Sequence, residues 1–267
     1  MRLTNKLVEK PWGQETLPKV FNARRGTKTG EIWFEAPDGI SLQLMIKYLF
    51  TSEKLSIQVH PNDRQARRAG LAAGKEECWL VLDAADDAVM GLGLKKSVSA
   101  TKLKTAALLG EIESLIDWKP VKKGDFFYVP AGTIHAIGAN ISLVEVQQNT
   151  GITYRIYDYG RSRELHVDEA IAVAKMSSYD MKNWKEVPPD VSATLSVGPP
   201  FSLFQVVGDD DEIISGVSSK EWQVLPLEGS VTVRGDLIKA GECGICPHLS
   251  DIDLSGNQKS LIACAIT

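Results

Sequence analysis

What most constrains this chain is a series of short segments that alternate apolar with polar residues or are rich in β-branched and aromatic side chains. They are "SLQLMIKYLF", "LSIQVH", "CWLVLDA", "DFFYVP", "ISLVEVQQ", "TYRIYDY", "WQVLPL" and "SVTVRG". Gly, Pro, Asn and Asp separate them at short spacings, which favours an all-β sandwich or barrel over strands alternating with helices. Two stretches depart from the pattern. In "SATKLKTAALLGEIESLIDW", residues 99–118, Leu103, Ala106, Ala107, Leu109, Ile112, Leu115 and Ile116 recur at roughly helical spacing behind a Ser99 or Thr101 cap, which predicts a helix. "VDEAIAVAKM" opens on acidic residues, as a helix dipole favours.

The chain's 267 residues can bury one large core or two modest ones. With 43% apolar and 24% charged residues, it has the composition of an ordinary soluble protein. A net charge of -4 and the lack of any dense Lys/Arg run argue against nucleic acid as a partner and leave small-molecule chemistry as the expectation. "MRLTNKLVEKPWG" lacks the apolar core of a signal peptide, and no stretch approaches the roughly eighteen apolar residues that span a bilayer. The expectation is a cytoplasmic protein without a membrane partner. Cys78, Cys243, Cys246 and Cys264 are too few and too unevenly placed for a disulfide framework and read as reduced.

"EVPPDVSATLSVGPP", with paired prolines at both ends, reads as a linker and divides an internal repeat. "VKKGDFFYVPAGTIHAI" and "IKAGECGICPHLSDIDL" share a lysine two residues before a Gly, an acidic residue after it and a Pro at the same offset. Upstream, "CWLVL" and "EWQVL" match through Trp79 and Trp222. The expectation is two related β units, 1–185 and 186–267, with a helical insertion at about 99–118 in the first. Cys243 and Cys246 fall inside a strand of the second unit, where residues three apart point to opposite faces and cannot share a metal.

Chemistry concentrates in the first unit. In "LSIQVHP" the alternation puts Leu55, Ile57 and Val59 on one side and Ser56, Gln58 and His60 on the other. An amide oxygen beside an imidazole nitrogen is an unusual solvent face, and both atoms can bind a metal. The turn in "VKKGDFFYVPAGTIH" brings His135 back toward the interior. A carboxylate of "KEECW" is the third candidate, and strand parity decides between Glu76 and Glu77. Singly, each of these residues is commonplace; together they describe a mixed nitrogen and oxygen site with room for water or substrate. The second unit lacks it, since Ile252 stands at the place of His135 and Lys220 at that of Glu77.

The spacing of Gly124, Pro130, Gly132 and His135 resembles the second motif of the cupin superfamily, whose fold is a double-stranded β-helix. More specifically, "KPWG", "LSIQVHPND", "KEECW", "GDFFYVPAGTIHAIG" and "EVQQNTGITYRIYDYGR" resemble, in order, the type I mannose-6-phosphate isomerases, especially their short bacterial form. The resemblance runs from about Lys10 to His166 and continues beyond the linker only as a degenerate cupin unit. It implies a mainly β fold of two cupin-type units and a zinc-dependent isomerase of aldose and ketose 6-phosphates. It also implies His60, Glu77 and His135 as zinc ligands, Gln58 at a ligand position of the longer enzymes, and Arg155 as the active-site arginine. Lys47 and Glu145 match polar positions on pocket strands, and Arg161 joins Arg155 and Lys47 as a cation able to meet the substrate's phosphate. Two other readings of the same ligands are an Fe(II) cupin oxygenase and a sugar-binding cupin without turnover. A monomer or small homo-oligomer is expected.

Overall fold

The alternating segments extend into strands, described over residues 1–21 and 26–266 in a computed structural model. Along the chain come β1 (Thr4–Gln14), β2 (Thr29–Glu35), β3 (Leu44–Phe50), β4 (Ile57–Val59), helix α1 (Asp63–Arg68), β5 (Glu77–Ala84) and β6 (Val89–Leu94). Helix α2 (Ala100–Leu108) precedes β7 (Ile116–Pro120), β8 (Asp125–Val129), β9 (His135–Ile137), β10 (Ile141–Gln148) and β11 (Tyr154–Tyr157). Helix α3 (Val167–Val173) and β12 (Trp184–Glu186) follow. The remainder holds β13 (Ala193–Ser196), β14 (Phe201–Val207), β15 (Trp222–Val233), β16 (Asp236–Lys239), β17 (Gly244–Cys246), β18 (Ile252–Asp253) and β19 (Asn257–Ala265).

Three antiparallel sheets result. The first runs β1-β2-β3-β10-β5-β8-β12, the second β11-β4-β9-β6-β7, and the third β13-β14-β19-β15-β16, with β17 and β18 also paired to β15. The period of two distributes apolar side chains between cores, as the consecutive Phe126 and Phe127 show. Phe126 joins Ile46, Tyr48, Leu80, Val144 and Val146 against Phe201, Leu225, Leu261 and Ala263 of the third sheet. Phe127 joins Leu49, Trp79, Val81 and Leu143 against Met90, Leu92 and Ile137 of the second. The first sheet is therefore buried on both faces, which explains why its central strands carry so few exposed residues. Leu55 packs in the same core as Phe127, whereas Ile57 and Val59 face outward from the second sheet. That outer face is roofed by Leu103, Ala106 and Ala107 of α2 and Ala170 of α3.

Helix α2 is shorter than its periodicity suggests. Ser99 caps it, its hydroxyl accepting the Lys102 N–H at 3.2 Å, but Gly110, at φ 74°, turns left-handed just past the last turn and ends it. Beyond a single turn at Ile112–Ser114, residues 116–120 extend as β7 because they find a partner in β6. Leu109, counted among the helix's apolar positions, is exposed. The proline-flanked linker also pairs: its first residue, Glu186, ends β12 on β8, and β13 within it adds to β14. "WQVLPL" and "SVTVRG" form one continuous strand, β15. Cys243 packs between the first and third sheets and Cys246 in the third sheet's other core, so the two thiols lie on opposite faces, as parity requires. No helix among the described residues is long and apolar enough to cross a membrane.

Candidate metal centre

Strand register assembles the centre. Gln58 on β4 pairs with His135 on β9 and with Arg155 on β11, so the three side chains stand on one face, and His60 follows two residues after Gln58 on that same face. The turn leading into β9 is tied to its neighbour, because the Gly132 N–H donates to the carbonyl of His60 at 2.8 Å. On β5, Glu77 faces inward and is 1% exposed. Glu76 turns the other way, and its carboxylate accepts the Tyr128 hydroxyl, which settles the choice between the two glutamates. The Lys75 N–H donates to the Pro61 carbonyl at 2.9 Å, holding the start of β5 beside His60.

Within this framework His135 Nε2 lies 3.2 Å from Glu77 Oε1, and His60 Nε2 lies 3.5 Å from Glu77 Oε2. One donor atom from each of the three residues falls within 4.8 Å of the others. His135 Nδ1 sits 2.9 Å from the Thr133 carbonyl, which can only accept, so Nδ1 carries the proton and Nε2 presents a lone pair. That lone pair and Glu77 Oε1 are buried without a hydrogen-bond donor, whereas Glu77 Oε2 meets the Lys75 ammonium. Burial, with Lys75 adding to it, pushes the His60 imidazole down to about 3, and burial lowers His135 as well. Burial alone would raise the Glu77 carboxyl, but the Lys75 ammonium at 2.8 Å and the His60 and His135 imidazoles together outweigh it and hold Glu77 well below the usual carboxylate range. At neutral pH the cluster is two neutral imidazoles and one carboxylate, all acceptors aimed at one another. Such a donor set fits a divalent cation.

Charge continues outward along the first sheet, with signs alternating strand by strand. Lys10 on β1 lies 3.4 Å from Glu31 on β2, and Glu31 lies 3.8 Å from Lys47 on β3. Lys47 lies 2.8 Å from Glu145 on β10, and Glu145 lies 3.7 Å from Lys75 at the edge of β5. Two indoles complete the row: Trp33 donates to Glu31, and Trp79 donates to Glu145 Oε2 at 3.1 Å. Burial alone would strip Lys47 of its proton, but Glu145 and Glu31 outweigh it and raise its pKa far above the ordinary value. Burial likewise opposes ionisation of Glu31, and Lys47 and Lys10 overcome it. One step further along the strands the inward face turns apolar at Leu49, Leu143, Val81 and Phe127. The interior thus has a dry end and a charged end.

Of the residues singled out in the sequence, His60, Glu77 and His135 converge, Lys47 and Glu145 stand beside them, and Gln58 shares their face. Arg155 is half-buried two strands from His135; its Nη1 donates to the Glu164 carbonyl at 2.9 Å, and its buried Nε has no partner. Arg161 is not brought to the centre. Its guanidinium binds Glu53 and the Lys54 carbonyl, both at 2.9 Å, and Asp158 at 3.3 Å. Lys54 precedes His60 by six residues, roughly 20 Å of extended chain. Because β11 runs antiparallel to β4, the residues after it travel away from His60. Lys75, Glu31 and Gln147 belong to the site yet escaped the sequence reading. The available signal was parity: Lys75 lies two residues before Glu77, and Gln147 two after Glu145.

No protein-family model matches the chain. Individual proteins do. The chain is 34% identical over 230 residues to mannose-6-phosphate isomerase ManA of Bacillus subtilis (strain 168), covering 72% of each protein. It is 34% identical over 239 residues to the probable mannose-6-phosphate isomerase GmuF of the same organism, covering 84% of this chain and 75% of that one. The crystal structure of the mannose 6-phosphate isomerase from Bacillus subtilis superposes with a TM-score of 0.77 over 98% of both chains, at 26% identity. A third of the residues shared across most of the length, on a fold matched from end to end, means that this chain belongs to the mannose-6-phosphate isomerase family.

Proposed function

We propose that this protein interconverts mannose 6-phosphate and fructose 6-phosphate, with one zinc ion held by His60, Glu77 and His135 and with Gln58 as a further donor. The observation that carries the reading is the buried trio of mutually facing acceptors beside the Lys47, Glu145 and Lys75 row, in a chain of this family. Two imidazoles, a carboxylate and the Gln58 amide make four donors, and zinc can expand to five-coordination to take water or substrate beside them. When bound, the ion supplies a fixed positive charge for oxyanion character developing on the substrate.

The chain's own residues account for the remaining needs. Isomerisation moves a proton from C2 to C1 of the open-chain sugar through an enediolate. We assign that transfer to Glu145, the inward carboxylate outside the metal trio that stands beside Lys75, with its Oε1 2.8 Å from the Lys47 ammonium. A positioned acid/base contributes about 10²- to 10⁴-fold. Lys47, held protonated by its two glutamates, and Lys75 flank Glu145 and keep the local charge balanced as the proton moves. Arg155, with part of its guanidinium unpaired, stabilises negative charge on the sugar or its phosphate. The apolar end beyond Leu143 excludes water from the intermediate.

We also read 1–185 as the catalytic unit and the remainder as a second, degenerate cupin unit. Strand β12 crosses that division while pairing with β8, so the boundary is better drawn after Glu186. A cytoplasmic location suits a doubly charged sugar phosphate, which does not cross a bilayer unaided. The test is a coupled assay of fructose 6-phosphate formed from mannose 6-phosphate, before and after chelation and with zinc added back. Activity lost on chelation and restored by zinc is the expected result; metal-replete protein without activity overturns the reading.

A further inference from the structure

Gln147 lies on β10 two residues beyond Glu145, on the same inward face, and its register partners are Glu77 on β5 and Met45 on β3. It is 1% exposed. Its amide Nε2 uses both hydrogens, donating to the carbonyl oxygens of Gln148 at 2.8 Å and Thr150 at 3.0 Å. Carbonyl oxygens only accept, so the amide cannot be turned end for end, and its oxygen must be the atom that faces away from them. That oxygen, Oε1, is buried and accepts no hydrogen bond.

A buried acceptor with no donor destabilises a fold, and a group of this kind, locked in orientation beside a reactive centre, calls for a partner from outside the chain. The partner must bring a hydrogen. A phosphate group is excluded, since its oxygens would meet Oε1 acceptor to acceptor. A hydroxyl on the sugar's carbon chain satisfies the requirement. We propose that Gln147 Oε1 accepts a hydrogen bond from one hydroxyl of the bound sugar phosphate, making Gln147 a substrate-selecting residue of the centre. The proposal rests on the isomerase reading above and extends it from reaction class to recognition, because a site built to pair with a hydroxyl rejects the analogue that lacks it.

The test is calorimetric binding to zinc-loaded protein, wild type and Gln147→Met, of mannose 6-phosphate and of analogues lacking one hydroxyl at a time from C2 to C5. In wild type, one analogue is expected to bind roughly ten-fold more weakly than the parent through this contact. In Gln147→Met that analogue and the parent are expected to bind equally, while the other analogues keep their wild-type ratios. Losing the Nε2 bonds also loosens the turn after β10, but that change weakens every ligand alike and leaves all ratios intact, so unchanged ratios overturn the proposal. Loss of zinc from the variant also overturns it, by making Gln147 a metal donor. If thermal midpoints show that methionine is not tolerated, Gln147→Leu supplies the same comparison with the same deciding outcomes. Wild-type protein that binds no sugar phosphate overturns the isomerase reading itself, a result distinct from unchanged ratios.

Discussion

His135 has little freedom left. Its Nδ1 is engaged by the Thr133 carbonyl, its ring stands 4.9 Å from that of His60, and its Nε2 faces Glu77. His135→Ala is expected to lower zinc content and to reduce isomerase activity by roughly 10²-fold or more, measured as metal per chain and as turnover. The same burial fixes the response to acid. Both histidines titrate below their ordinary value in the folded chain, His60 at about 3, so the unfolded chain binds more protons as pH falls. The stability they contribute is complete above about 6.5 and drains away as pH falls from there toward the folded values. Glu77, also depressed, adds a loss in the same direction below the usual carboxylate range. Chelated protein should therefore show a denaturant midpoint that declines between pH 8 and pH 5, and less steeply in a His60→Gln variant. The residues alone left Glu76 and Glu77 open and the family resemblance pointed to Glu77, whereas His60 and His135 were legible because alternation and turn chemistry aim them inward. Lys75 and Glu31 were not, because a charged residue on a strand ordinarily faces water, and only the fold reveals partners on adjoining strands.

Elements position these groups through a few tight joints. Between α1 and β5 the chain passes so close to Asn62 that a Cβ at Gly74 would lie 2.4 Å from a backbone carbon. Gly74→Ala must push Lys75 and Glu77 away from His60, and we expect a fall in zinc affinity larger than any fall in thermal midpoint. Helix α2 offers the opposite case, stability without chemistry. Ser99→Ala removes its cap and should cost about 1 kcal/mol in denaturant unfolding while leaving turnover unchanged. The cap was readable in the sequence and the helix's end was not, since Ile112, Leu115 and Ile116 fit a helical stripe equally well until β6 offers a strand partner. Helix α1 went unread although Asn62 and Gln65 form a capping box, each side chain bonding the other's backbone N–H, because six residues are too few to show a period.

For the whole molecule, the first sheet is shared property. Its outer face packs on the third sheet through Leu225 and Leu261, both fully buried. Leu225→Ala should cost about 2–5 kcal/mol and keep unfolding in one transition by fluorescence and circular dichroism, because neither core can open without exposing that face. The repeat led to an expectation of two related β units, but nothing in the residues said that the first and third sheets would pack through Val144, Val146 and Leu261. The row of alternating charges has a consequence for descent. Replacing Lys47 alone takes away the cation that Glu31 and Glu145 share and leaves the buried row one positive charge short, with only Lys10 and Lys75 beside them, whereas a second change on a neighbouring strand can restore neutrality. Drift through this row is therefore confined to coordinated steps, and lineages that diverge freely at their loops should change it only in matched pairs.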